Sequence, residues 1–261
     1  MNASSNPAVF LLAALATATV VVLLGKAQPQ LSTARTPPPG NAINRELIFL
    51  DPAHGGADAG SNLGGQTLEK DVTLAFAARL GTALTSAGFT VLSSRDSDLP
   101  ALLTADQRAE IANRAHPVAC IVLHATATGS GVHLYTSTLQ PSELKAPDSQ
   151  YDAPAFAPTP WDNAQAASVT QSHALAASLT AALAKSDLPA LSGDAPLRPL
   201  DSLACPAVAI ELAPLLVGGA DPTPVIDAGY QQRVATVVAA ALRAHQDQAN
   251  AAANPSRGPT S

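Results

Sequence analysis

Short apolar segments alternate with helical patterns along most of the chain, and this alternation constrains the fold more than any other feature. Residues 46–51 (ELIFLD) form an apolar run with the length of a strand. In residues 69–87, apolar side chains recur every four positions, as on one face of a helix. Strands joined by helices of this length favour a parallel sheet. We therefore predict an α/β fold: a single domain whose largely parallel β-sheet is flanked by helices on both faces.

Short sequence patterns predict the remaining strands and helices. Thr104 followed by Gln107 forms a capping box, which indicates the start of a helix. Further strands are expected at 89–93, 119–124, 131–135 and 208–211, and further helices at 163–185 and 225–245. This order of elements is consistent with one α/β domain over residues 45–245.

The two ends of the chain differ from this domain. Residues 8–24 are apolar and uncharged, and they are slightly shorter than a typical membrane-spanning helix of about 20 residues. Residues 1–24 are therefore predicted to be a membrane anchor or a signal segment, and we favour the anchor because the cleavage signal is weak. The proline-rich residues 25–44 are predicted to be a linker, and residues 246–261 a disordered tail. Both interpretations of the N-terminal segment imply export.

The composition argues against a nucleic-acid partner. The net charge is -6, and aromatic residues make up only 3% of the chain. Binding to phosphates needs a basic surface, and binding to single strands usually needs aromatic stacking. We therefore expect no nucleic acid among the partners.

The two cysteines, Cys120 and Cys205, each lie close to an apolar run. Their spacing matches no zinc-finger or redox motif. We interpret them as two small buried side chains without a bond between them. A disulfide stays open as the alternative, because an exported protein reaches an oxidising compartment.

Polar side chains stand where three predicted strands end. His54 follows the first strand, His124 ends the segment ACIVLH, and Glu211 ends AVAIE. Ligands of open α/β sheets bind outside the carboxyl ends of the strands, and Glu69 reaches the same edge from the start of the helix after the Gly-rich loop 55–65. Two histidines and a carboxylate form a common catalytic zinc set, and a fourth residue, Glu211, would take the proton of a water molecule. Spacing alone leaves His124 open as a structural histidine.

Six segments then occur in an order that resembles one known family. They are LIFLDPAHGGADAG, LEKDVTLAFAARLGTAL, GFTVLSSRDSD, ADQRAEIANRA, IVLHATA and PAVAIE. Together they closely resemble the zinc-dependent N-acetylmuramoyl-L-alanine amidases of amidase family 3, over about residues 47–242. The resemblance implies that His54, Glu69 and His124 bind one Zn²⁺ and that Glu211 is the catalytic glutamate. The implied substrate is peptidoglycan, cleaved at the amide between N-acetylmuramic acid and L-alanine of the stem peptide.

Three features depart from the family pattern. Ala53 replaces a glycine, Thr126 replaces an asparagine, and the residues after Glu211 differ from the common sequence. The departures at Thr126 and after Glu211 motivate an alternative function, a non-catalytic or autoinhibited peptidoglycan-binding or regulatory module. In an autoinhibited form, the proline-rich loop 138–160 is long enough to act as a cover over the metal. A zinc hydrolase for a different amide is a third hypothesis, because the ligand set alone does not identify the substrate.

Two further residues are assigned by weaker arguments. We assign Arg198 to substrate binding, because stem peptides carry carboxylates that an arginine can bind in bidentate geometry. We interpret His133 as a solvent-facing strand residue, with a position lining the substrate cleft as the alternative. The expected location is the cell envelope, on the periplasmic or extracellular side, anchored to the inner membrane or secreted. The sequence leaves open whether an activator protein is a further partner.

Overall fold

A computed structural model of the chain describes residues 44–98, 101, 103–141, 161–216, 218 and 221–253. The predicted anchor or signal segment and almost all of the predicted linker lie outside these residues. Most of the loop proposed as a cover, residues 142–160, lies outside them as well. In the part of the chain that is described, no helix is long and apolar enough to cross a membrane.

Strands and helices alternate through the described residues. The strands are β1 (Asn44–Pro52), β2 (Thr90–Ser93), β3 (Pro117–Ala125), β4 (Val132–Thr136), β5 (Ala190–Asp194) and β6 (Ala207–Leu212). The α-helices are α1 (Glu69–Ser86), α2 (Ala105–Ala115), α3 (Val169–Lys185) and α4 (Ala228–Ala253), and short 3-10 helices form at Trp161–Ala167 and Leu200–Ser202.

The strands form one six-stranded sheet in the order β2-β1-β3-β6-β4-β5. β2, β1, β3 and β6 are parallel to one another, whereas β4 pairs antiparallel with β6, and β5 is parallel to β4. The prediction of a largely parallel sheet is therefore confirmed. The carboxyl ends of β1, β3 and β6 consequently meet at one edge of the sheet, which is the edge that the candidate residues were expected to share.

Helices cover both faces of the sheet, as predicted. The larger apolar cluster joins one face to α1, α3 and α4, with Phe76, Leu80, Leu179 and Val238 fully buried. The smaller cluster joins the other face to α2 and to the segment before β6. The predicted capping box at the start of α2 is confirmed, because the Gln107 amide donates to Thr104 Oγ1 and the Thr104 amide donates to Gln107 Oε1.

Two sequence-based predictions about this domain are wrong. Cys120 and Cys205 form a disulfide with their Cα atoms 6.1 Å apart, because β3 and the segment entering β6 are neighbours in the sheet. Residues 246–253, predicted to begin a disordered tail, continue α4 to Ala253. Gln246 is buried there, which the polar composition of this segment does not indicate.

Candidate metal centre

The loop after β1 brings His54 to the sheet edge. Ala53 donates its amide to Leu123 O over 3.0 Å, and the buried Arg95 donates to Pro52 O over 3.0 Å and to Ala53 O over 3.1 Å. The positive φ of this turn falls on His54, at 65°, and not on Ala53. The alanine that departs from the family pattern therefore fits without the backbone strain of a left-handed conformation.

Three candidate ligands converge at this edge. Glu69 begins α1 and is only 4% exposed. Its Oε2 lies 3.2 Å from His54 Nε2, and its Oε1 lies 2.9 Å from His124 Nδ1. One ligand atom from each residue falls within 4.8 Å of the others. Two imidazole nitrogens and a carboxylate oxygen this close together match the donor set of a three-ligand zinc site.

Neighbouring groups orient these ligands. Asp58 Oδ2 lies 2.9 Å from His54 Nδ1, and the Gly60 amide donates to Asp58 Oδ1 over 3.1 Å. The Ser61 amide donates to Glu69 Oε2 over 3.0 Å. A carboxylate on the second ring nitrogen is the usual partner of a metal-binding histidine, because it fixes the tautomer and the ring orientation. The second ring nitrogen of His124, Nε2, is buried and has no hydrogen-bond partner among the described residues, so the only polar contact of this ring within them is the one that Nδ1 makes with Glu69.

Hydrogen bonds within the cluster shift the pKa values of Glu69 and His54. Burial acts to raise the pKa of Glu69, but hydrogen bonds from His124 and His54 outweigh it and keep that pKa well below its usual range. The hydrogen bond to Glu69 raises the pKa of His54 against the opposing effect of burial, and Asp58 adds to this increase. Glu69 is therefore an anion throughout the physiological pH range, as a carboxylate ligand must be.

Glu211 lies in the row of residues that crosses the sheet at His124. It pairs with His124 in the β3–β6 ladder and with His133 in the β4–β6 ladder. His133 Nδ1 is 2.9 Å from Glu211 Oε1, and the His133 side chain is only 12% exposed. The prediction that His133 faces solvent is therefore wrong, because β4 turns this ring towards the carboxylate.

The family model described as N-acetylmuramoyl-L-alanine amidase (Amidase_3) matches residues 48–244, which is most of the chain. The chain belongs to this amidase family. The resemblance seen in the sequence motifs is thereby confirmed.

Individual relatives of this amidase family cover smaller parts of the chain. The germination-specific N-acetylmuramoyl-L-alanine amidase of Bacillus subtilis (strain 168) is 46% identical over 56 residues, covering 22% of this chain and 23% of that protein. The N-acetylmuramoyl-L-alanine amidase LytC of the same bacterium is 30% identical over 122 residues, covering 47% and 24% respectively. The chain thus aligns with less than a quarter of the length of these curated relatives.

A solved amidase structure shows the same fold. The catalytic domain of CwlV, an N-acetylmuramoyl-L-alanine amidase from Bacillus (Paenibacillus) polymyxa var. colistinus, superimposes with a TM-score of 0.55 at 18% identity. The match covers 77% of this chain and 98% of that domain. The architecture of the amidase domain is therefore retained although most side chains differ.

Two other residues singled out in the sequence, Arg198 and Thr126, have contacts of their own, and one supporting residue, Asp58, was not singled out. The Arg198 side chain is 71% exposed and forms an ion pair with Asp106 of α2, with 3.5 Å between Nη1 and Oδ1. Among the described residues, no hydrogen bond or ion pair links it to the cluster. Thr126 Oγ1 lies 3.2 Å from Thr128 Oγ1 and accepts from the Thr128 amide, which places its hydroxyl in its own loop. Asp58 was missed, although an acidic residue four positions after a candidate metal-binding histidine is a visible signal.

Proposed function

We propose that this chain is a zinc-dependent N-acetylmuramoyl-L-alanine amidase that cleaves peptidoglycan between N-acetylmuramic acid and L-alanine of the stem peptide. The observation that carries the proposal is the cluster of His54, Glu69 and His124, with Glu211 opposite His124 in the sheet. Membership of the amidase family supports the substrate class.

The residues of the cluster have distinct roles in this proposal. His54 Nε2, one Glu69 oxygen and His124 Nδ1 would hold the metal. Zinc in such a site lowers the pKa of water to about 7, which makes hydroxide available near neutral pH. Glu211 accepts the proton of the attacking water and donates it to the leaving amine of L-alanine. Asp58 keeps the His54 ring in the ligating orientation through the contact at Nδ1.

The same proposal places the protein in the cell envelope. Peptidoglycan lies outside the cytoplasmic membrane, and the disulfide between Cys120 and Cys205 suits an oxidising compartment. The apolar residues 8–24 would direct export, as an anchor in the inner membrane or as a signal segment. Arg198 would bind a carboxylate of the stem peptide, and an activator protein would regulate the enzyme.

Digestion of purified muropeptides by the full-length protein tests the reaction. We expect one zinc ion per chain and two products, a glycan with a free lactyl carboxyl group and a peptide with an L-alanine amino terminus, identified by mass spectrometry. Chelation should abolish cleavage, and added Zn²⁺ should restore it.

Glu211→Ala should keep its zinc and lose at least about 100-fold in kcat, because the proton acceptor is gone. Glu110→Ala, which removes an exposed glutamate of α2, is the matched control and should cleave normally.

The outcomes separate the three functional hypotheses. Cleavage at another amide would identify a different zinc hydrolase. Stoichiometric zinc without cleavage, at several pH values, would favour the binding or regulatory module. Full activity of Glu211→Ala would leave the amidase in place but assign the proton acceptor elsewhere.

A further inference from the structure

The contact between His133 and Glu211 has no part in the chemistry proposed above. His133 Nδ1 lies 2.9 Å from Glu211 Oε1, and the two residues face each other across β4 and β6. His124 lies opposite Glu211 on the other side, in the ladder with β3. Glu211 therefore stands between a candidate metal ligand and a second imidazole.

The surroundings of His133 restrict the movement of its ring. The Tyr135 ring meets the imidazole edge-on, with 6.3 Å between the ring centroids. Gly129 approaches from the preceding turn, where an added Cβ would lie 2.9 Å from His133 Cε1. Gly129 has a φ of +84°, a conformation that favours glycine and permits this close approach. His133 is therefore held by its neighbours in the orientation that meets Glu211.

A carboxylate that acts as a base benefits from such a fixed partner. The Glu211 side chain has several rotatable bonds and is 26% exposed, so packing alone leaves it several rotamers. A hydrogen bond that His133 Nδ1–H donates to Oε1 would select one of them. The second oxygen, Oε2, would then stay available for the proton of the attacking water.

We propose that His133 is a positioning residue for Glu211, which holds the carboxylate in the orientation that accepts and returns the proton. The inference rests on the proposed function, because it assumes that Glu211 is the base. His133 transfers no proton itself in this scheme: Nδ1–H donates to the carboxylate throughout the reaction, and no bond of the imidazole forms or breaks.

Steady-state kinetics of two substitutions test this role. His133→Leu replaces the imidazole with an apolar side chain of moderate size that cannot donate a hydrogen bond. We expect kcat to fall about 10- to 100-fold, because misplacement of a reacting group slows the reaction. KM and zinc content should be unchanged. His133→Asn should recover most of the loss, because its side-chain amide can donate from nearly the same place as Nδ1.

His173→Leu is the matched control. His173 also contacts a carboxylate, 3.1 Å from Asp194 Oδ1, but it is 48% exposed on α3, and its loss should leave kcat unchanged.

A double substitution separates positioning from a general structural role. If His133 acts through Glu211, His133→Leu should cause no further loss of kcat in the Glu211→Ala background, because no carboxylate is left to orient. A second multiplicative loss would show that His133 acts on something other than Glu211 and would overturn the proposal.

Nuclear magnetic resonance gives a readout that needs no turnover. Long-range ¹H–¹⁵N spectra should show His133 protonated at Nδ1 in the wild-type protein, and this preference should disappear in Glu211→Ala. Absence of muropeptide cleavage by the wild type would overturn the proposed function and the positioning role together. Normal wild-type cleavage with an undiminished kcat in His133→Leu, or with His133→Asn as impaired as His133→Leu, would overturn the positioning role alone.

Discussion

Gly60 lies directly against two of the candidate metal ligands. A Cβ at this position would meet His54 Cδ2 at 2.7 Å and Glu69 Oε2 at 2.8 Å, both closer than a carbon atom tolerates. Gly60→Ala should therefore displace both ligands and weaken zinc binding by at least about tenfold, the lower end of what disturbed ligand orientation costs. Titration of the metal-free protein with Zn²⁺ against a competing chelator measures this loss.

Gly65 offers the matched control for Gly60→Ala. It also has a positive φ, +59° against +65° at Gly60, but an added Cβ would meet no atom within 4 Å. Gly65→Ala thus shares the backbone strain of about 1–2 kcal/mol without the collision. Equal zinc affinities for the two variants would show that the loop moves aside at Gly60, and that the cluster is less constrained than the structure indicates.

At the scale of single residues, the sequence predicted the three candidate ligands that the structure brings together, but not the contacts that support them. His54, Glu69 and His124 could be found because each interrupts an apolar pattern at an element end or follows the Gly-rich loop. The contact between His133 and Glu211 could not be found in this way, because it depends on which strand lies next to β6. The antiparallel placement of β4 is a long-range pairing that a local sequence pattern does not encode.

At the scale of secondary structure, a buried ion pair connects α2 to the sheet. Arg108 Nη1 donates to both oxygens of Asp51 at the end of β1, over 2.9 and 3.1 Å, and Asp51 is fully buried. The Ser94 hydroxyl donates to the same carboxylate over 2.7 Å. α2 thus contacts the strand end from which the loop carrying His54 begins.

Removal of one partner of this pair should destabilise the whole domain. Arg108→Met leaves the Asp51 charge buried without its cation, and the free energy of unfolding should fall by about 3–5 kcal/mol. Urea denaturation followed by circular dichroism measures the change. Arg114→Met is the control on the same helix: Arg114 is 79% exposed and paired with Glu110, so its loss should change the free energy by less than about 1 kcal/mol. Similar losses in both variants would contradict a special role for the buried pair.

Helices and strands that pack against the core were predicted more completely than those at the edge of the sheet or at the end of the domain. α1 and the central strands carry strong patterns because their apolar side chains face a deep core. β5 was missed because it lies at the sheet edge with a mostly exposed sequence, ALSGD, which lacks apolar alternation. The end of α4 was placed too early because the segment after His245 is polar, although Gln246 is buried against the domain.

At the scale of the whole molecule, the disulfide joins two segments that are 85 residues apart in the sequence. Cys120 lies in the centre of the sheet on β3, and Cys205 precedes β6, which pairs with β3. Because the strand pairing already holds both segments together, the bond should affect mainly the unfolded chain, where it closes a long loop. The geometry of the candidate metal centre should not depend on it.

This reasoning predicts a loss of stability without a loss of site geometry when the bond is absent. The double variant Cys120→Ala, Cys205→Ala should lose about 2–5 kcal/mol of unfolding free energy, with zinc affinity and kcat unchanged under native conditions. Reduction of the wild-type protein with dithiothreitol should lower the denaturation midpoint to a similar extent, and the same treatment should leave the double variant unaffected. If reduction instead removed zinc or activity at a temperature where the protein stays folded, the bond would be holding β3 and β6 in the register that places His124 opposite Glu211.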